Sequence, residues 1–399
     1  MGLALGEPSP KPPPSMVPDS PNLTDERPPP LPRVEFEASV SPKAEADLDC
    51  DNCGAPLSWS PERGALLCAH CGVDHAVEVS EGTIIERPLS AARAAPRGLG
   101  SKVRVLECGT CDARVTFEGK STSGHCPFCG SAAVLAQDSN RNQLRPESLV
   151  PLEVGRSRVE ENFRTWTRSL WFRPRALKKA TTDAAVGVYV PAWTFDADVR
   201  SEWSAQSGTY YWVTESYRVN VNGRSQRRTR RVRRVRWRPS WGKRRDHFDD
   251  VVVIASRGID ARLSERLGGY DAAGLVPYRP EFLAGWRAEE YHLELESGWE
   301  VARGRIEQTQ RRRCAGDVPG DTHRALRVRN DVSNVLWKHV LFPMWSVTYR
   351  IGGKDYAVLV HGQSGRVVGQ APLSWWKILF TLFAIAALVA LMAYVSDAF

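Results

Sequence analysis

Cys50-Asp51-Asn52-Cys53 and Cys68-Ala69-His70-Cys71 are fourteen residues apart. Cys108-Gly109-Thr110-Cys111 and Cys126-Pro127-Phe128-Cys129 repeat that spacing about 58 residues later. A C-x2-C turn aims two thiolates at one ion, and two such turns on a short β-hairpin complete a tetrahedral site. Gly54, Gly72 and Gly130 directly follow the second cysteine of three of the four turns, where glycine relieves a tight backbone. The spacing therefore predicts two zinc ribbons, residues 46–82 and 104–138, joined by a linker over 83–103. Each holds one structural Zn2+, the first through Cys50, Cys53, Cys68 and Cys71, the second through Cys108, Cys111, Cys126 and Cys129. Rubredoxin-type iron uses the same ligands. Four thiolates leave no coordination position for water or substrate, so the ions are structural. His70, His75 and His125 lie nearby and are not needed as ligands. Cys314 stands alone as a plain thiol.

Both ends of the chain differ from this pattern. Residues 1–45 hold twelve prolines, including Pro12-Pro13-Pro14 and Pro28-Pro29-Pro30, and read as a disordered, partly polyproline II tail. They are not a secretory signal. Ile378–Val395 is an uncharged apolar run that, at about 1.5 Å per residue, crosses the hydrocarbon of a bilayer as a helix. Trp375, Trp376 and Tyr394 sit where interfacial aromatics belong. Arg366 and Lys377 flank the N-terminal side. A transmembrane helix over 375–396 is expected, with the preceding chain in the cytoplasm and a short C-terminus outside: a tail-anchored protein of the bacterial inner membrane. A reducing cytoplasm favours thiolate–metal sites over disulfides.

Residues 147–372 form the body. Val159, Phe163, Trp166 and Leu170 make one apolar helical face, which Pro174 ends. Val186–Phe195 reads as a strand, as do Thr209–Val213, Val251–Ala255 and Tyr291–Leu295. Trp299, Ala302 and Ile306 fit a helix. Met344–Arg350 and Tyr356–Val360 flank Gly352-Gly353 as a hairpin, and Gly362 and Gly365 turn the chain into Arg366–Gly369. Trp166, Trp171, Trp193, Trp337 and Trp345 read as core. The fold class is α+β with an antiparallel sheet.

Thirteen of the twenty-eight residues from 218 to 245 are Lys or Arg. Arg227, Arg228, Arg230, Arg231, Arg233, Arg234 and Arg236 are its candidate anion-binding residues. The segment reads either as a solvated hairpin around Asn222-Gly223 or as a basic patch for anionic lipid or nucleic acid. The whole chain carries 54 Lys plus Arg against 46 Asp plus Glu, a net charge of +8 that permits an anionic partner without requiring one. Charged residues at 25% and hydrophobic residues at 42% exclude a wholly disordered or polytopic chain.

Motor and hydrolase motifs are missing. Gly119-Lys120-Ser121 resembles the tail of a P-loop, but Arg114 stands where its first glycine is required. There is no complete Walker A, G-x-S-x-G or H-E-x-x-H. Asp249 and Asp250 would point to opposite faces of a strand, and His361 sits beside a glycine turn.

Several segments resemble a bacterial family of membrane-anchored TFIIB-type zinc-ribbon proteins, often labelled primosomal protein N′ (replication factor Y), superfamily II helicase. They are Val188–Asp196, Gly208–Tyr211, Arg236-Trp237, Phe248–Asp250, Ala255-Ser256, Tyr278-x-Pro280, Phe282–Gly285, Ala288–Tyr291, Pro343-x-Trp345, Gly362-Gln-x-Gly365 and Trp375-Trp376. The chain departs at His361, where relatives often carry Asn, and in the density of its arginine run. The resemblance implies an integral-membrane metal protein related to phage-shock-type membrane-stress systems. The function expected is a non-enzymatic cytoplasmic scaffold for a protein partner. The alternative is a membrane-associated nucleic-acid-binding protein, related to replication or transcription, that uses the ribbons and the arginine run.

Overall fold

A computed structural model describes residues 48–77, 84–99, 104–117, 125–132, 134–138, 143–174, 185–221, 224–259, 261–351 and 354–397. The proline-rich segment, Gly119-Lys120-Ser121 and both glycine turns, Asn222-Gly223 and Gly352-Gly353, lie outside the described residues. Two small antiparallel sheets come first. One has the order β1-β2-β3, from β1 (Leu57–Ser60), β2 (Ala65–Cys68) and β3 (Asp74–His75). After β4 (Arg87–Pro88), the other has β5 (Arg104–Cys108) between β6 (Arg114–Phe117) and β7 (Val134–Asp138). Then follow β8 (Ser148–Leu149) and helix α1 (Arg156–Ser169), whose buried Val159 and Phe163 lie on the expected apolar face.

The large sheet is built on three strands: β9 (Val186–Val221), β10 (Arg224–Ile254) and, further on, β13 (Thr322–Ile351). Between them lie α2 (Ala261–Leu267), β11 (Val276–Pro277), β12 (Arg287–Ala288) and α3 (Leu295–Asp317). After β13 come β14 (Lys354–His361), β15 (Val367–Gly369) and the apolar helix α4 (Trp375–Asp397). The main path is β10-β9-β13-β14-β15, all antiparallel. β8 and β12 add short parallel pairs, and β4 and β11 add short antiparallel ones. The chain is α+β with a mixed, mainly antiparallel sheet.

Strand β9 changes character along its length. Val188–Ala197 is buried on both faces, Val199–Ala205 alternates buried and exposed, and beyond Thr209 the side chains are half-buried or exposed. The two segments Val186–Phe195 and Thr209–Val213 are therefore one strand, continuous because β10 pairs with it from Ala192 to Val221. β13 stops pairing at Thr322 opposite Gly208, so residues 209–221 and 224–236 form a two-stranded arm with no third strand among the described residues. Three bulges interrupt the ladders, and each holds a non-glycine residue at positive φ: Asp250, Ala325 and Asn334.

Two expectations are corrected. Tyr291–Leu295 is not a strand. Tyr291 is buried, with its hydroxyl accepting the Leu144 N–H, the Leu293 carbonyl accepts the Trp193 indole N–H, and α3 begins at Leu295. Trp171 is not core. It is 72% exposed beside the start of α4, whereas Trp193, Trp337 and Trp345 are buried and Trp166 is half-buried.

Candidate metal centres and the basic arm

Each cysteine turn is closed by the chain's own hydrogen bonds. The Gly54 and Gly72 N–H groups donate to the Cys50 and Cys68 carbonyls at 2.8 and 2.9 Å, with both glycines at positive φ. Asp112 takes the equivalent place in the third turn, at φ 55°, donating to the Cys108 carbonyl. Aspartate tolerates the left-handed region better than most residues, so the turn survives without glycine. Gly130 repeats the arrangement on Cys126.

These turns gather the thiols. In each cluster the four sulfurs lie within 4.8 Å of one another. Cys50 and Cys71 are 3.6 Å apart and Cys53 and Cys68 3.5 Å. In the second cluster Cys108–Cys129 and Cys111–Cys126 are both 3.6 Å. A tetrahedral ion with metal–sulfur bonds of about 2.3 Å spaces its sulfurs by about 3.8 Å, so the donor sets fit such an ion. The Val73 amide, aimed at Cys71, is the main cause lowering that thiol to about 6. Pairing with Cys111 is the main cause lowering Cys126 to about 5, while Cys53, Cys111 and Cys129 are raised. A bound metal requires all four sulfurs of a cluster as thiolates. His75, set aside by sequence, has its Nε2 3.4 Å from Cys50 Sγ, while its Nδ1 lies 3.8 Å from Asp51.

The clusters are part of the molecular core. Cys50, Cys68, Leu57 and Trp59 are buried with Leu152, Phe163, Tyr189, Phe282, Trp345, Val358 and Val360. Trp59 donates from its indole to the Leu152 carbonyl, and Trp286 donates to the Trp59 carbonyl. Cys108, Cys126, Val115 and Phe128 are buried with Val188, Val190, Met344 and Leu359. Successive strand residues face opposite sides. Tyr189, Trp345, Val358 and Val360 thus face the first cluster, and Val188, Val190, Met344 and Leu359 the second. The two four-cysteine clusters sit on opposite faces of β9, β13 and β14.

A third group of ligand-type residues, Asp196, Asp249 and Asp250, also lies within 4.8 Å. The bulge between Phe248 and Val251 breaks the alternation that would have separated Asp249 from Asp250. Lys338, buried, already supplies positive charge there, at 2.7 Å from both Asp250 and Glu86. His361 is buried at the end of β14. Its Nδ1 accepts the Gln363 and Ser364 amides and its ring stacks on Tyr270 at 3.8 Å, which gives it a turn-closing role. Cys314 is buried against Trp203 and Val318.

The candidate arginines do not share one surface. Pairing places Arg227, Arg231 and Arg233 on one face of the arm and Arg228, Arg230, Arg234 and Arg236 on the other. On the second face Glu215 pairs with Arg230 and Arg234. Sequence reading missed Arg324 and Arg327, which β13 places on the same face as the first set, below it opposite Gln206 and Ser204. Only strand register brings them there.

Helix α4 is long and apolar enough to cross a membrane over Trp375–Ala393, with mean hydropathy 2.2 and none of that stretch buried. Its first turn is tied to the body. Lys377 Nζ donates to the Trp171 and Arg173 carbonyls, and the Ser374 N–H donates to the Phe172 carbonyl.

The chain is similar to the uncharacterised protein YdjG of Bacillus subtilis (strain 168), at 25% identity over 331 residues that cover 82% of this chain and 91% of that protein. No protein-family model matches it, and no solved structure does.

Proposed function

We propose that this protein is a membrane-anchored, non-enzymatic scaffold whose cytoplasmic body is held together by two structural zinc ions. The observation that carries the reading is the setting of the two four-cysteine clusters on opposite faces of the same three strands. A closed four-thiolate site is suited to holding structure rather than to binding substrate. Helix α4 crosses the inner membrane of a bacterium, and positive charge before it keeps the body in the cytoplasm. The partner is a protein, and the family resemblance suggests one from a membrane-stress system.

The test has two parts. Metal analysis of the full chain, purified reduced in detergent, should find two zinc ions per chain; iron, or no metal, would overturn the zinc reading. Crosslinked pull-down from solubilised membranes, with and without nuclease, should recover membrane-stress or membrane-remodelling proteins that survive nuclease. A protein found only in the soluble fraction would refute the anchor.

A further inference from the structure

We propose that the open face of the long arm binds single-stranded nucleic acid. The inference rests on the arm and the adjoining face of the sheet down to Ser204, takes α4 as the anchor only in choosing nucleic acid over lipid, and is independent of the metal reading.

Past Ala197, odd-numbered residues of β9 face α3: Val199 packs near Ile306, and Trp203 and Ala205 near Cys314 and Val318. Among the described residues nothing packs over the even-numbered face. From Ser204 outward it carries Tyr210, Trp212 and Arg218 from β9, and Arg227, Arg231, Arg233, Trp237 and Trp241 from β10. β13 adds Arg324 and Arg327. No acidic side chain stands at the paired positions of this face over that length. Asp321, at the entry to β13, is engaged with the Tyr210 N–H at 2.7 Å. The opposite face of the arm has Glu215 among its arginines.

Charge and rings are interleaved. Arg233 lies 4.2 Å from the Tyr210 ring centroid, Arg231 5.6 Å from Trp212, and Arg324 4.1 Å from Trp237. Trp241 is 77% exposed. It borders a groove of about 370 Å³ lined also by Arg327, Arg329 and the Lys243–Glu202 ion pair, whose 2.7 Å contact engages the one acid there. Aromatic rings spaced along a cationic track are the chemistry of a single strand, which stacks its bases and sets its phosphates on arginine. Membrane lipid is disfavoured by position. The start of β9 lies near Tyr349, whose hydroxyl donates to the Gln370 carbonyl shortly before α4. The arm begins 23 residues along β9 from Val186, roughly 75 Å of strand at about 3.3 Å per residue, against a screening length of about 8 Å.

The test uses the full chain in uncharged detergent and fluorescent DNA and RNA single strands of about 20 nucleotides, a little longer than one binding site. Two variants remove equal charge. One replaces Arg231, Arg233, Arg324 and Arg327 with Ser; the other replaces Arg228, Arg230, Arg234 and Arg236. The first should weaken binding at least about tenfold and flatten the salt dependence by about 3 log units per log unit, at about 0.7 per phosphate contact. The second should change binding only a few-fold. Trp241→Ala, which leaves charge unchanged, should weaken single strands more than duplex. Unchanged circular dichroism confirms that each variant is folded. Equal losses from the two faces, absence of binding at low salt, or binding only to anionic vesicles would overturn the proposal.

Discussion

His75 lies 3.4 Å from the Cys50 sulfur. An imidazole N–H donated to a metal-bound thiolate fixes the ligand's orientation, and losing such a partner typically weakens metal affinity 10–100-fold. His75→Ala should therefore lower metal affinity of the first cluster by about that factor and leave the second unchanged, as read by competition with a chromogenic chelator. Equal retention by both clusters would show the contact to be idle. His339 is a different kind of residue. It is buried between Trp193 and Tyr291, and its Nδ1–H donates to the Leu144 carbonyl at 2.9 Å. Burial lowers its pKa to about 4 from an ordinary 6.5. A folded pKa below the unfolded one means the neutral ring's contribution is complete above pH 6.5 and is lost as pH falls towards 4. The full effect is roughly 3 kcal/mol. His339→Asn should cost stability near neutral pH, and its stability curve should converge on that of the parent between pH 6.5 and 4. Curves that stay parallel would refute the assignment.

Element by element, legibility in the sequence followed how local each signal is. The cysteine turns are written in four or five residues each, and the eight cysteines gather into two groups of four. Helix α1 was visible from its apolar spacing, and the β13–β14 hairpin from two strand-like segments around Gly352-Gly353. The full length of β9 was not, because one strand is buried on both faces, then on one, then on neither, and so shows three patterns. The Asp249–Asp250 pair misled because a bulge, which depends on the partner strand, reset the faces. The division of the arginines between two faces likewise needed the register. Gly298 shows how packing overrides propensity. It lies in the first turn of α3, where a Cβ would stand 2.7 Å from the Trp193 ring. Alanine should help a helix by up to about 1 kcal/mol, but forcing volume into a packed core costs about 1–3 kcal/mol, and Trp193 is fully buried. Gly298→Ala should lower the midpoint of thermal unfolding, while Gly304→Ala, with nothing within 4 Å of its Cβ, should leave it unchanged or raise it. A stabilised Gly298→Ala would mean that α3 shifts freely on the sheet.

For the whole molecule, the placement of the two clusters decides how far the loss of a bound metal would spread. If the clusters were modules on a tether, stripping their ions would unfold only residues around each set of turns. Instead, Cys50 and Cys68 share a core with Tyr189 and Trp345, and Cys108 and Cys126 share one with Val188 and Met344 on the other side. Structural zinc contributes on the order of 10–16 kcal/mol to the folding of small metal domains, and whole domains are stable by only about 5–15 kcal/mol. If each cluster holds such an ion, loss of one would be enough to release the base of the sheet. Chelation should raise amide exchange across Val186–Ala197 and Phe342–Val347, far from any cysteine in sequence, and should remove the near-ultraviolet signal of the buried tryptophans. The Cys50→Ser and Cys108→Ser variants should each do the same, since each opens one face of strands that need both. The arm, whose side chains are already largely in solvent, should exchange at the same rate before and after. Exchange confined to residues 48–77 and 104–138 would show the clusters to be independent modules and would move the scaffold's docking surface back onto them.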